Sequence, residues 1–147
     1  KMMFGTYNRR IVPLRTKFDW LTRDEEIVDR YVNDPACTFT FTLNGFYTLL
    51  DTLQYIERPE NIAKIPAGLP TLILSGSEDP VGNYGKAVKT VYDNIKNAGV
   101  KEIELKIYEG CRHEILNEII REEVYADILD WIRKGIILCS KNAPSCP

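Results

Sequence analysis

Hydrophobic spacing divides the chain into two textures. Up to about residue 60, apolar side chains recur at helical intervals in two stretches. Ile27, Val28 and Tyr31 follow Thr22-Arg23-Asp24-Glu25, where a threonine with a glutamate three residues later has capping-box spacing, and Asp34-Pro35 stops the run. This predicts a short helix over 22–33. Phe46, Leu49, Leu50, Leu53 and Ile56 then mark an amphipathic helix ending near Glu57, ahead of Pro59. Between the two, Phe39 and Phe41 alternate with Thr38, Thr40 and Thr42, which suits a brief strand or an extended linker. Residues 1–21 carry no sustained period, so we expect irregular chain whose aromatics pack onto something else. Residues 61–69, with Pro66 and Gly68, read as linker.

From Pro70 the pattern changes. Thr71-Leu72-Ile73-Leu74-Ser75 is apolar without alternation and is bounded by Pro70 and Gly76, which predicts a strand buried on both faces as in a parallel sheet. Ala87, Val88, Val91, Tyr92 and Ile95 predict a helix closed by Gly99, and residues 102–108 alternate as a second strand. Strand, helix, strand is one βαβ unit. Ile120, Val124, Ile128, Trp131 and Ile132 predict a last helix from about 117 to 135, near Gly135, followed by a tail over 140–147. Two strands alone leave an apolar parallel pair uncovered, since parallel sheets are normally larger and covered on both faces. The expectation is therefore a C-terminal part of a longer protein, whose sheet an upstream segment or a second copy completes.

Composition narrows the function classes. The 147 residues, 44% hydrophobic and 27% charged, match one globular domain, and the formal net charge of -2 with interspersed signs offers no basic footprint for nucleic acid or an anionic membrane. No apolar run is long enough for a spanning helix. Cys37, Cys111, Cys139 and Cys146 lack metal-ligand spacing and read as free thiols, with a Cys139–Cys146 clip as the weaker alternative. We expect no metal, no cofactor and a cytoplasmic location. The chain opens on Lys1, so a targeting segment ahead of it would be out of view.

Chemistry concentrates on two loops that leave the carboxyl ends of the predicted strands, where open parallel sheets place their ligands. Residues 75–82 carry Asp79, held in extended backbone by Pro80, and residues 108–118 carry His113, the only histidine. An imidazole that titrates near neutrality can take and return a proton, and a carboxylate on its Nδ1 would fix the tautomer and stabilise the imidazolium. The plainer alternative is that Asp79 caps its own loop and His113 makes a structural hydrogen bond. Glu78, Glu109 and Glu114 are rival acids, with Glu114 more simply solvated; Cys111 reads as a packing residue and Arg112 as a salt-bridge partner. None of Ser75, Ser77, Ser140 and Ser145 lies in G-x-S-x-G, and there is neither a phosphate loop nor a dinucleotide fingerprint.

Several short motifs in order, namely Phe4-Gly5 with Tyr7-Asn8-Arg9-Arg10, Arg15-Thr16 with Phe18-Asp19-Trp20-Leu21 and Arg23-Asp24, Asp34-Pro35 with Cys37, Ser75-Gly76 with Asp79-Pro80-Val81-Gly82, and Tyr108-Glu109-Gly110 with Arg112-His113-Glu114 and Leu116-Asn117-Glu118, together resemble the lysophospholipase and monoacylglycerol-lipase-like branch of the α/β-hydrolases. The resemblance runs through nearly the whole chain. It implies an α/β fold in which 1–60 is the later part of a helical cap, 61–69 a linker, 70–139 the C-terminal part of the hydrolase core, and 140–147 a tail. It further implies a Ser-Asp-His triad in which Asp79 is the acid and His113 the base, and a cap in which Phe18, Trp20, Leu21, Phe39, Phe41 and Phe46 line an acyl channel, unless each packs within the cap instead. The substrate would be a small ester or a lysolipid. The family's serine elbow, oxyanion-hole loop and earlier strands are absent from these residues, so the chain alone is expected to be inactive. A hydrolase-like binding module without catalysis is the rival from another class, and thioesterase, peptidase or dehalogenase chemistry stays open within the fold.

Overall fold

The computed structural model describes the backbone of residues 5–37 and 39–142, with side chains through residue 135. Its elements run α1 (Glu25–Asn33), α2 (Leu43–Ile56), α3 (Pro59–Ile62), β1 (Thr71–Gly76), α4 (Lys86–Asn97), β2 (Ile103–Tyr108), a 3-10 turn (Ile115–Asn117) and α5 (Arg121–Asn142). Residues 5–24 form turns and loop packed through Tyr7 on Trp20 and Phe18 on Tyr31, with ring centroids 5.0 and 4.9 Å apart. No described helix is long and apolar enough to cross a membrane.

The two strands pair in parallel, with Thr71 opposite Ile103 and Gly76 opposite Tyr108. Their carboxyl ends therefore lie side by side, and the loops that follow leave from adjacent points. Tyr108, Cys111 and Val124 form the buried centre, joined by Leu74, Ile115, Ile120 and Ile128, so α5 packs against the sheet end that carries both loops. A carbon–carbon core on this side holds the strand ends in place while the loops carry the polar groups.

Several expectations change. The α1 cap is Asp24, whose carboxylate accepts from the N–H groups of Glu26 and Ile27; Thr22 instead turns its hydroxyl onto the Asn117 carbonyl, 2.9 Å away. Asp competes well for a cap position, and a tertiary acceptor drew Thr22 elsewhere. Helix α2 starts earlier than its apolar period suggested, at Leu43, because Thr42 caps it through the Gly45 N–H. The segment read as linker is entered by α3, whose Pro59 occupies the first turn that the predicted break assigned to a stop. Of the predicted run, Thr38 lies outside the described residues and 39–42 form no strand. The last helix begins at Arg121 rather than near 117, since the Glu118 carboxylate takes the Ile119 N–H and interrupts the turn. It also runs past Gly135 to Asn142, because Gly135 does not adopt the left-handed conformation that ends a helix, and one interior glycine costs only about 1 kcal/mol relative to alanine. Ser140 is thus helical, while residues 143–147 and the Cys139–Cys146 pairing lie outside the described residues.

Strand β1 is half-buried along most of its length rather than enclosed on both faces. It has one neighbour among the described strands, so its other edge and part of its apolar surface meet solvent. The chain exposes 10679 Å², whereas a compact monomer of its 16.9 kDa mass would expose about 7,700 Å².

Candidate active site

Strand β1 ends at Gly76, and a side chain could not stand there. A Cβ at Gly76 would lie 2.1 Å from the Cys111 carbonyl oxygen and 2.3 Å from that of Arg112, so glycine lets the two loops touch backbone to backbone. Three hydrogen bonds then join them. The Ser77 N–H donates to the Tyr108 carbonyl at 2.9 Å, the Glu78 N–H to the Cys111 carbonyl at 2.8 Å, and the Gly110 N–H to Ser77 Oγ at 2.8 Å.

These bonds bring Asp79 and His113 together. Asp79 is buried at 6% exposure, and its Oδ1 accepts from the Val81 N–H at 2.8 Å while lying 3.1 Å from His113 Nδ1. With Asp79 ionised, Nδ1–H is the donor and Nε2 is the basic nitrogen; Nε2 has no partner among the described residues, and the His113 side chain is 37% exposed. The Asp79 hydrogen bond raises the His113 pKa above 6.5; desolvation opposes the rise, and the charges of Asp79 and Glu114 add to it. Such a pair can take a proton at Nε2 while the imidazolium stays stabilised from the other side. None of the rival acids bonds the ring: Glu78 and Glu109 are exposed, and Glu114, which adds only its charge, accepts from the Asn117 side chain at 2.7 Å.

The six aromatic and aliphatic candidates fall into separate places. Trp20 and Leu21 are buried beside the histidine loop, with the Trp20 and His113 ring centroids 5.1 Å apart. Phe18 packs on Tyr31 of α1. Phe41 meets Phe39 and Phe46 edge to face at the head of α2, with ring centroids 5.2 and 5.6 Å apart, and Phe39 and Phe41 remain exposed. Cys111 is fully buried, and burial pushes its thiol up and away from the reactive thiolate. Ser75 Oγ donates to the Gly76 carbonyl and Ser77 Oγ accepts from Gly110. Among the described residues no group of three histidine, cysteine or acidic side chains could hold a metal.

Arg112 departs from the expected salt bridge. Its Nη1 donates to the carbonyls of Asp19 and Thr22 at 2.6 and 3.0 Å, clasping the loop that carries Trp20. Glu118, to which the residue types gave no role, proves fully buried and paired with Arg23 at 2.9 Å. Arg10 lies over the Tyr84 ring, 3.5 Å from its centroid, and so braces the far end of the acid loop. Glu118 and Arg23 are far apart in sequence, and charge alone gave no sign that they meet.

Residues 2–120 match the family described as serine aminopeptidase, S33. A monoacylglycerol lipase of Mycolicibacterium smegmatis is 28% identical over 117 residues, which is 78% of this chain and 38% of that protein. A thermostable carboxyl esterase from Bacillus coagulans, solved with glycerol, superposes with a TM-score of 0.81 at 33% identity, over 89% of this chain and 43% of that one. A lipase in an open form superposes with a TM-score of 0.77 at 27% identity, again over 43% of its length. The chain thus spans less than half the length of each of these relatives. With the match covering most of its residues and the parallel strand pair in place, the chain belongs to the serine aminopeptidase S33 family of α/β-hydrolases, on its lipase-like branch.

Proposed function

We propose that the protein carrying this chain hydrolyses carboxylic esters through an acyl-enzyme, with Asp79 and His113 as two members of a Ser-His-Asp triad. The observation that carries this reading is the 3.1 Å contact between Asp79 Oδ1 and His113 Nδ1 across two neighbouring strand-end loops, with Nε2 left open. A serine from outside these 147 residues attacks the ester carbonyl while His113 Nε2 takes its proton. His113 then protonates the leaving alcohol and draws a proton from the water that releases the acid. Asp79 holds the tautomer throughout. The ester and lipase activities named for the relatives favour a small carboxylic ester or a lysolipid as substrate.

The upstream part of the same protein, or a second copy, also supplies the strands that cover β1. In the protein containing the nucleophile, His113→Ala and Asp79→Asn should each lower turnover of short acyl esters by about 10³-fold or more. Wild-type turnover in either variant removes that residue from the mechanism. The 147-residue chain alone should neither turn over esters nor react with a fluorophosphonate probe.

One rival from another class is a hydrolase-like binding module without catalysis. Labelling of a serine in the larger protein by the same probe, blocked by an ester substrate, supports the enzyme reading; no labelling supports the module.

A further inference from the structure

Among the described residues Glu118 is the largest fully buried side chain, and its carboxylate receives four N–H groups. Oε1 accepts from the Arg112 backbone at 2.8 Å and from the Arg23 backbone at 3.2 Å. Oε2 accepts from Arg23 Nε at 2.9 Å and from the Ile119 backbone at 3.2 Å. A buried carboxylate is costly unless its lone pairs are satisfied, and here every contact comes from a fixed donor. Two of the donors bear directly on the histidine. Arg112 immediately precedes His113, and Arg23 closes the segment on which His113 rests.

That segment and the histidine loop are joined along their length. The His113 N–H donates to the Trp20 carbonyl at 3.4 Å and the Glu114 N–H to the Leu21 carbonyl at 2.7 Å. Arg112 Nη1 and Thr22 Oγ1 add their bonds to Asp19, Thr22 and Asn117 carbonyls. Glu118 holds both sides of this junction through one carboxylate.

We infer that Glu118 is a positioning residue for His113, fixing the histidine loop against residues 19–23 so that Nδ1 meets Asp79. The bearing on hydrolysis rests on the proposed triad, whereas the positioning itself can be measured without turnover. The charges that raise His113 are those of Asp79 and Glu114, so a change on altering Glu118 reports displacement of the ring rather than loss of a facing charge.

In the larger protein the His113 Cε1 proton, assigned by its loss in His113→Ala, gives one NMR titration. The wild-type protein should titrate above 6.5. Glu118→Gln, which leaves an amide where two N–H groups need an acceptor, should lower the midpoint by about half a pH unit or more. Arg23→Lys, altered at a side chain 31% exposed, should fold in any case and shift the midpoint the same way by less. Asp24→Asn serves as control: it removes an ion pair to Arg121 and should lower stability with the midpoint unchanged. A folded Glu118→Gln with the wild-type midpoint overturns the inference, and if that variant does not fold, an unshifted Arg23→Lys overturns it. A wild-type midpoint at 6.5 would overturn the Asp79 pairing and the inference together. A raised wild-type midpoint that neither variant moves would overturn the positioning role alone and leave the triad standing.

Discussion

At the scale of single residues, the site depends on a carboxylate and an imidazole whose meeting is set by their neighbours. The sign of the pH effect follows from the raised His113 pKa. Protonated His113 is stabilised in the folded chain, so its contribution to stability is complete below pH 6.5 and is lost as pH rises through the higher folded value. The proposed hydrolysis would need the neutral imidazole, so turnover should rise with pH through that same folded midpoint, above 6.5. Asp79→Asn should bring both transitions down, read by NMR titration and by a pH–rate profile. Gly76→Ala tests the backbone contact. The overlap at 2.1 and 2.3 Å is with main-chain oxygens that cannot turn aside, so it should cost about 3 kcal/mol, seen in urea unfolding, and should part Asp79 from His113. Asp79 and His113 were both legible as candidates, because an acid before proline and a lone histidine stand out on predicted strand-end loops. Glu118 was not, since burial of a charged residue is decided by what surrounds it.

At the scale of elements, periodicity found each long helix and both strands, while side chains with better partners elsewhere moved the ends. Thr22 left its cap for Asn117, and Asp24 took the position. Glu118 turned its carboxylate onto Ile119 and delayed α5. Val124 shows what α5 contributes: it is fully buried against Tyr108 and Cys111, so Val124→Ala should lower stability by roughly 2 kcal/mol in thermal or denaturant unfolding. Helix α2 differs. It has no buried residue, and Leu43, Tyr47, Leu49, Leu50 and Leu53 lie exposed along it. Its stability is therefore largely local, and Thr42→Ala should remove about 1 kcal/mol from α2 alone, detected as faster amide exchange there with β1 and β2 unchanged.

At the scale of the whole molecule, two parallel strands form a smaller sheet than such strands usually require. The exposed side of β1, the apolar surface of α2 and a total surface well above that of a compact monomer all describe faces fit for further packing. If an upstream segment or a second copy covers them, the chain by itself should bind a hydrophobic dye and show concentration-dependent mass by light scattering. A monodisperse, cooperatively folding monomer that binds no dye would remove the need for a completing partner.

The amino-acid sequence alone determined the βαβ unit, the two strand-end loops and the residue types on them, because these follow from local periodicity and from the backbone limits of glycine and proline. Its motif order also carried the family. The motif order also named Asp79 as the acid for His113, and tertiary structure alone gave the 3.1 Å contact between them and decided that Arg112 holds carbonyls instead of a carboxylate. It likewise brought Glu118 to Arg23 across 95 positions of chain. Those choices depend on distances between residues remote in sequence, fixed only when the strand ends lie side by side and α5 closes over them.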